Sequence, residues 1–375
     1  MKSNQNIARF LNVLDSLDKK AMIEGEDRIP GLIMSHPGFG KTSTIKKWCV
    51  AMDYNLFTLI PSQNASDDIL GLNCKEGKDM VRLTPPWYNK LLKTMENGKR
   101  TVIFVDEIST CDPYIQGPML NLIFNRTLGE EELPNNAFIV AAGNYSEDLM
   151  NAFKMSSALV NRFMILNLWN SDFNVSELLS DSFTKAKTKE QIEEYFRIKS
   201  ETPVYDYEKF KEWVANSREV SFGKSEYTED SEYGLIGFNS PRALSFSMRF
   251  AEEYMSMYSD NLWMRVVGDT LGKSTKREGK LLRLVFEANK DLFKKKSTVE
   301  NEKTIGDICD EMKVVGVTKE LLAELHEAVR RLPTDGGISS VDLKKMSSIV
   351  TKNYKNTELI NINNYLIKRI EGSLV

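Results

Sequence analysis

Short runs of apolar residues alternate with helix-like stretches along the first 170 residues of the chain. Each run is apolar on both faces, which is typical of strands that are covered on both sides of a sheet. The five runs lie at 31–34, 55–60, 101–105, 137–142 and 163–168. Apolar residues at helical spacing predict helices at 7–23, 41–52, 86–97 and 113–125. The alternation predicts an α/β fold with a parallel five-stranded sheet between two layers of helices.

Two polar turns interrupt this scheme, and each predicts a short hairpin. The first hairpin spans about 71–84 and turns at 75–79, and the second spans about 126–137 and turns at 129–131. Loops added to a rigid sheet often carry substrate contacts, so both hairpins are candidates for that role. Solvated surface turns are the equally weighted alternative.

Beyond residue 170 the strand pattern fades and helical patterns predominate. Charged, helix-like segments at 172–200 and 206–216 precede a stretch at 217–238 that is predicted to be a loop. Further helices are predicted at 241–257, 260–271, 278–293, 304–312, 318–331 and 340–354. We therefore expect an α/β core over 1–169, a helical domain over 170–295 and a helical C-terminal extension of unknown role over 296–375.

Composition favours a globular protein of the cytoplasm. The net charge of the 375 residues is −3, which gives no global sign of a nucleic-acid-binding protein. The four cysteines have no paired spacing, which indicates reduced thiols, and the two histidines exclude a His-rich metal site. We expect no membrane segment, because no apolar run approaches the roughly 18 residues of a span, and no secretory signal.

Residues 35–42 carry the most informative motif, Ser-His-Pro-Gly-Phe-Gly-Lys-Thr, directly after the first predicted strand. Backbone N–H groups of such a loop and of the helix after it favour phosphate. Lys41 would reach the β- and γ-phosphates of a nucleoside triphosphate, and the Thr42 hydroxyl would ligate Mg²⁺. The residues expected to contact the nucleotide are Pro37, Gly38, Phe39, Gly40, Lys41, Thr42 and Ser43. Ser35 replaces the usual first glycine, and a glycine-rich turn with a chance Lys-Thr is the alternative.

The third predicted strand ends in two carboxylates, Asp106 and Glu107. The carboxyl end of a strand in an open α/β sheet borders the ligand crevice. Asp106 is therefore the candidate second ligand of Mg²⁺, and Glu107 is the candidate group that polarises the attacking water. An exposed acidic strand end is the alternative, but the phosphate-binding loop upstream argues against it.

Three further polar residues are candidates for catalysis or nucleotide sensing. Asn144 follows the fourth strand and could orient water near the γ-phosphate, although a lone Asn is often a turn former. Arg162, before the fifth strand, could stabilise transition-state charge at a neighbouring subunit, and Arg242 could touch the nucleotide from a second domain. Surface arginines are the alternative for both. A second glycine-rich stretch at 268–274 has the wrong spacing and is not expected to bind nucleotide.

The order of these motifs resembles that of the AAA+ ATPases, and within them the MoxR-type branch. The resemblance covers about 5–255 and includes a segment similar to the helix-2 insertion of that branch. That segment is Asp67–Gly71, followed by Pro85-Pro86-Trp87. The further motifs are Ile108-Ser109-Thr110, Leu133-Pro134, Ala-Ala-Gly-Asn at 141–144, Ala158–Phe163 and Ser240-Pro241-Arg242.

The resemblance implies an AAA+ P-loop core with a helical lid, in a homo-oligomeric ring that is usually hexameric. ATP and Mg²⁺ would bind between subunits, with Lys41, Thr42, Asp106, Glu107 and Asn144 acting in cis. Arg162 would act in trans, and Arg242 would sense nucleotide from the lid. Relatives often work with a von Willebrand factor A domain partner.

Three functions are compatible with these motifs. A remodelling ATPase that drives the two hairpins against a protein client is preferred. A nucleic-acid-directed motor of the restriction or defence type is the first alternative, although the net charge and the acidic second hairpin disfavour it. The second alternative is an assembly scaffold that does not hydrolyse ATP, and the intact Asp106, Glu107 and Arg162 argue against it.

Overall fold

The computed structural model describes most of the chain in two compact units, Met1–Lys294 and Lys295–Val375. The residues described are 2–63, 68–69, 71–76, 79–129, 131–148, 153–169, 188–196, 202–222, 226–274, 280–295, 305–330, 340–353 and 356–371. Most of the segment predicted to be helical over 172–200 lies outside these residues. No helix among the described residues is long and apolar enough to cross a membrane.

The first unit contains eleven strands and ten α-helices among its described residues. The strands are β1 Gly31–Met34, β2 Asn55–Leu59, β3 Leu72–Glu76, β4 Asp79–Leu83, β5 Thr101–Val105, β6 Thr127–Leu128, β7 Glu131–Glu132, β8 Ala137–Gly143, β9 Met164–Asn167, β10 Thr228–Asp230 and β11 Gly234–Ile236. The helices are α1 Lys2–Glu24, α2 Lys41–Ala51, α3 Pro86–Met95, α4 Pro113–Leu120, α5 Ser157–Val160, α6 Lys189–Phe196, α7 Tyr207–Asn216, α8 Pro241–Met257, α9 Leu262–Leu271 and α10 Leu282–Ala288.

The central sheet has five parallel strands in the order β2-β5-β8-β1-β9, which confirms the predicted α/β class. Strand β1, which leads into residues 35–42, therefore lies between β8 and β9. Because parallel strands end at the same edge, residues that follow β1, β5 and β8 come together there. Three of the predicted catalytic segments follow these strands.

Helices cover both faces of the sheet, as the two-sided apolar runs predict. In β5, Val102 and Phe104 join one buried cluster, with α1, α2 and α8, while Ile103 and Val105 join a second cluster with α3 and α4. This alternation follows from the two-residue period of a strand. All five residues of β5 are fully buried, so the strand has no solvated face.

Both predicted hairpins are present in the described residues, as antiparallel pairs β3–β4 and β6–β7. Residues 77–78 and 130 at their tips lie outside the described residues. The guanidinium of Arg126 closes the base of the second hairpin, because its Nη2 donates to the carbonyl oxygens of Pro134 and Ala137 at 3.0 and 2.9 Å.

The structure differs from the sequence prediction at three elements of this unit. Residues 217–238 were predicted to be a loop, but they contain the antiparallel hairpin β10–β11. The predicted helix at 113–125 ends at Leu120 and continues as a π-helical turn, Asn121–Asn125. The predicted helix at 278–293 is shorter, α10, and a 3-10 helix, Lys290–Phe293, follows it.

The elements described in the second unit are all helices, and they have a core of their own. Its helices are α11 Ile305–Val315, α12 Lys319–Arg330, α13 Ser340–Lys352 and α14 Thr357–Glu371, of which α14 was not predicted. Side chains from all four helices form one buried cluster that includes Ile308, Leu325, Ile349 and Leu359. The predicted boundary at residue 169 stays a prediction.

Candidate active site

The loop between β1 and α2 is shaped by two glycines with left-handed backbone conformations. Gly38 and Gly40 have φ values of 81° and 75°, which residues with a Cβ rarely adopt. A Cβ on Gly38 would meet no atom within 4 Å, so the space above the loop is open. Ser35 does not have a positive φ, so the backbone accepts a serine at this first position.

The ammonium of Lys41 is buried at the first turn of α2 and directed back into the loop. Its Nζ donates to Ser35 Oγ at 2.6 Å and to Asn144 Oδ1 at 2.7 Å. Burial lowers the pKa of Lys41 to about 8, and the nearby charges of Asp106 and Asp148 oppose this shift. A buried cation beside this loop is a candidate partner for an anion such as phosphate.

Thr42 and Asp106 form the second pair of the site. The Thr42 hydroxyl donates to Asp106 Oδ2 at 2.9 Å, across the edge where β1 and β5 end. Hydroxyl and carboxylate oxygens are the ligands that Mg²⁺ prefers, and this cation usually keeps several waters and binds through one or two protein groups. The described residues contain no cluster of three or more His, Cys, Asp or Glu that could hold a metal. The pair fits a Mg²⁺ bound together with phosphates.

Glu107 has an uncommon backbone conformation for a residue with a side chain, with φ 56° and ψ 36°. Its N–H donates to Asp106 Oδ1 at 3.0 Å, and its carbonyl accepts from the Thr110 hydroxyl at 2.8 Å. Such strain costs on the order of 1 kcal/mol or more and is frequent at functional sites. These contacts hold the exposed Glu107 beside Asp106, where it could polarise a water molecule.

Asn144 follows β8 and lies between the loop and β5. Its side-chain oxygen accepts from Lys41, and its backbone N–H donates to Ser109 Oγ at 2.9 Å. Gly143 permits this close approach, since a Cβ there would lie 2.9 Å from Met34 Sδ and 3.1 Å from Ser109 Oγ. Ser109 thus positions Asn144, a role that the sequence did not reveal.

The other loop residues predicted to contact nucleotide lie around this cluster. Pro37 and Ser43 are exposed. The ring of Phe39 is half-buried, and its centroid lies 5.6 Å from that of the His36 ring. The Ser43 hydroxyl donates to the carbonyl of Gly40 at 2.9 Å. His36 pairs with Asp148 at 2.7 Å and contacts Tyr145, so it fixes the loop from outside.

The fold brings Arg162 and Arg242 together on the ring of Phe124. The Cζ atoms of Arg162 and Arg242 lie 5.0 and 4.5 Å from the centroid of the Phe124 ring. Burial, and then the charge of Arg242, lower the pKa of Arg162. Among the described residues neither arginine is hydrogen-bonded or ion-paired to Lys41, Thr42, Asp106 or Glu107.

The comparisons with known proteins agree with this geometry. Residues 32–166 match the model of the family described as "ATPase family associated with various cellular activities (AAA)". The matched segment runs from β1 to β9 and includes Lys41, Asp106, Asn144 and Arg162.

No curated protein matches the chain. One solved structure, described as a "putative ATPase" from Cytophaga hutchinsonii ATCC 33406, is 16% identical, with a TM-score of 0.43. The match covers 79% of this chain and 97% of that one, and at this similarity it supports no argument about function. Residues 32–166 therefore form an AAA-family ATPase domain, and the chain is an ATPase.

Proposed function

We propose that the chain is a remodelling ATPase of the MoxR type, which works on a protein client as a homo-oligomeric ring of six copies, the number usual in that family. The observation that carries the proposal is the separation of its catalytic groups. The Lys41–Asn144 and Thr42–Asp106 pairs form one cluster, while Arg162 and Arg242 form another on Phe124. A site completed by a neighbouring copy accounts for this separation.

Within one copy, each residue of the first cluster has a chemical task. Gly38, Gly40 and the start of α2 would bind the phosphates through backbone N–H groups, and Lys41 would neutralise the β- and γ-phosphates. Thr42 and Asp106 would hold Mg²⁺, which supplies charge neutralisation on the transferring phosphoryl group. Glu107 would orient and polarise the attacking water, and Asn144 would fix Lys41 and the γ-phosphate relative to that water.

The arginine pair would complete the site of the adjacent copy. Neither arginine has a carboxylate partner among the described residues, so the pair offers uncompensated positive charge to an anion. Arginines that reach a neighbour's γ-phosphate are typically worth on the order of 10³–10⁵ in rate. Arg162 is expected to contact the γ-phosphate of the adjacent copy. Arg242 is expected to contact the same nucleotide beside Arg162, rather than a nucleotide bound in its own copy.

A protein client is favoured over nucleic acid by the charge of the second hairpin. Strand β7 consists of Glu131 and Glu132, and both side chains are exposed. Acidic groups at this position would repel a phosphate backbone. A von Willebrand factor A domain partner is proposed by family resemblance only, and a steep salt dependence of DNA binding would instead support the motor alternative.

Glu107→Gln tests the chemistry directly. The amide keeps the size of the side chain but cannot polarise water as a carboxylate does, so turnover should fall by at least about a hundredfold. ATP affinity should stay within about threefold, because Glu107 is not among the groups assigned to bind phosphate. Both quantities are measured on the same preparation, by phosphate release and by equilibrium binding of labelled ATP.

Glu147→Gln is the matched control for this experiment. Glu147 is also an exposed glutamate that follows a central strand, on the 3-10 helix Ser146–Asp148. Its substitution should leave turnover unchanged. Wild-type turnover in Glu107→Gln would remove Glu107 from the mechanism, and equal losses in both variants would indicate a non-specific effect of charge.

A further inference from the structure

Phe124 lies at the point where Arg162 and Arg242 meet. It belongs to the π-helical turn Asn121–Asn125 that precedes the second hairpin, and its ring is half-buried. Single-turn π-helices are rare in proteins overall, and those that occur are often found at functional sites. The guanidinium carbons of both arginines lie within 5.0 Å of its ring centroid. One aromatic ring therefore contacts two cations that are far apart in the sequence.

Two guanidinium groups repel each other, so their proximity requires a compensating attraction. Among the described residues no carboxylate pairs with either of them. The negative face of an aromatic ring attracts a cation, and each such contact contributes about as much as a modest hydrogen bond. Phe124 thus supplies the attraction that an acidic side chain would supply elsewhere.

The chain segments that carry the arginines are also tied together next to this ring. The Ser240 hydroxyl donates to Asn161 Oδ1 at 2.7 Å, and it accepts from the N–H of Ala243 at 3.1 Å as the N-cap of α8. Arg162 follows Asn161, and Arg242 lies in the first turn of α8. The backbone positions of both arginines are fixed by this link, and their side chains then converge on Phe124.

Contact with a ring leaves an arginine able to bind phosphate. The planar face of the guanidinium lies against an aromatic ring, while its N–H donors point outward in the plane. In Arg162, Nη1 donates to the carbonyl of Ala158 at 2.7 Å and Nε is buried, so Nη2 is the group available to an anion. A carboxylate in place of Phe124 would instead occupy these donors and neutralise the charge that an anion needs.

We propose that Phe124 is a positioning residue, which holds Arg162 and Arg242 together and leaves N–H donors of both for the phosphates of a neighbouring copy's nucleotide. This proposal rests on the proposed function, because it assumes that the arginines act on a nucleotide. It assigns no contact between Phe124 and the nucleotide itself. The aromatic face, rather than the size of the side chain, is the required property.

Phe124→Leu and Phe124→Tyr separate these two properties. Leucine keeps an apolar side chain and removes the aromatic face, so kcat for ATP hydrolysis should fall about tenfold. The KM for ATP should stay within about twofold, because the groups that bind nucleotide in the same copy are unchanged. Tyrosine keeps the face and should retain wild-type kcat. All proteins are assayed as full chains, at concentrations where activity per subunit is constant.

Two further variants make the result decisive. Tyr114→Leu, which removes an aromatic ring that is 87% exposed and is not part of the site, should leave kcat unchanged. Phe124→Met removes the ring with a different shape and should reproduce the leucine result, and thermal unfolding checks the fold of each variant. Equal losses in the tyrosine and leucine variants, or wild-type kcat in both ring-free variants, would overturn the proposal.

Arg162→Ala in the same assay distinguishes this proposal from the proposed function. Loss of activity in Arg162→Ala, with wild-type activity in Phe124→Leu, would reject the role of Phe124 and leave the function intact. Wild-type activity in Arg162→Ala would reject the arginine mechanism, and the role of Phe124 with it.

Discussion

At the scale of single residues, the burial of Lys41 has a consequence for the pH dependence of the enzyme. Burial lowers its pKa to about 8. Above that pH the side chain becomes neutral and loses its attraction for phosphate, so the KM for ATP should rise, by up to about tenfold per pH unit. Bound phosphates restore the charge, so kcat should change less. KM and kcat are measured between pH 7 and 9.5.

Lys41→Arg is the control, because a guanidinium stays charged throughout this range. Its KM should show no break near pH 8, even if binding is weaker overall. The pKa shift also predicts a stability change in the wild type. Between about pH 8 and 10.5 the unfolded chain binds more protons at this position than the fold does, so the free energy of unfolding should rise with pH. A KM that is constant to pH 9.5 would contradict the assignment.

The residues of the first cluster could be predicted because each is fixed by its neighbours in sequence. Lys41 follows a glycine-rich turn, Asp106 ends a buried strand, and parallel strands end at one edge. The contact of Phe124 with two arginines could not be predicted, because the three residues come from three separate elements. The strained φ of Glu107 is likewise set by its hydrogen bonds to Asp106 and Thr110, which only the fold reveals.

At the scale of elements, the glycine-rich stretch at 268–274 is explained by helix packing. Gly268 lies in α9, and a Cβ there would be 2.4 Å from the backbone N and Cα of Arg283 at α10. The glycine therefore lets the two helices approach closely. This is a structural reason for the sequence pattern that resembles a second phosphate-binding loop.

Gly268→Ala should consequently destabilise the protein by about 2–4 kcal/mol, because the backbone of Arg283 must move. Gly117→Ala is the matched control, since Gly117 lies in α4 and its added Cβ would meet no atom within 4 Å. That substitution should change the free energy of unfolding by less than about 1 kcal/mol, because the helical preference of alanine is opposed by the contact of its Cβ with the ring of Pro118. Denaturant unfolding of both variants checks the prediction, and similar free energies for the two would refute the packing explanation.

The elements that sequence patterns missed are those held by distant contacts. Strands β10 and β11 have three residues each, too few for a periodic pattern. The Glu229 carboxylate accepts from the N–H of Ser146 at 3.1 Å, and Leu235 exchanges hydrogen bonds with the side chain of Asn167. These contacts to the loop after β8 and to β9 fix the hairpin, whereas the long apolar strands of the sheet are evident from sequence alone.

At the scale of the whole molecule, the two clusters of charged groups determine how activity must depend on assembly. Under the proposed function, a copy with intact Lys41, Asp106 and Glu107 would bind ATP but would need the arginines of another copy for fast turnover. Activity per subunit should therefore rise with protein concentration and then reach a plateau. The sharper test is one in which each type of subunit lacks a different half of the site.

Mixing Arg162→Ala with Glu107→Gln subunits provides that test. Each variant alone has only incomplete sites, whereas an interface between the two types can pair an intact Glu107 with an intact Arg162. The mixture should therefore hydrolyse ATP faster than the sum of the separate variants, by at least about tenfold at equal amounts. A mixture of Lys41→Ala with Glu107→Gln is the control and should give no gain, because both substitutions disable the same half of the site. Additive rates in the first mixture would contradict the proposed action of Arg162 on the nucleotide of a neighbouring copy.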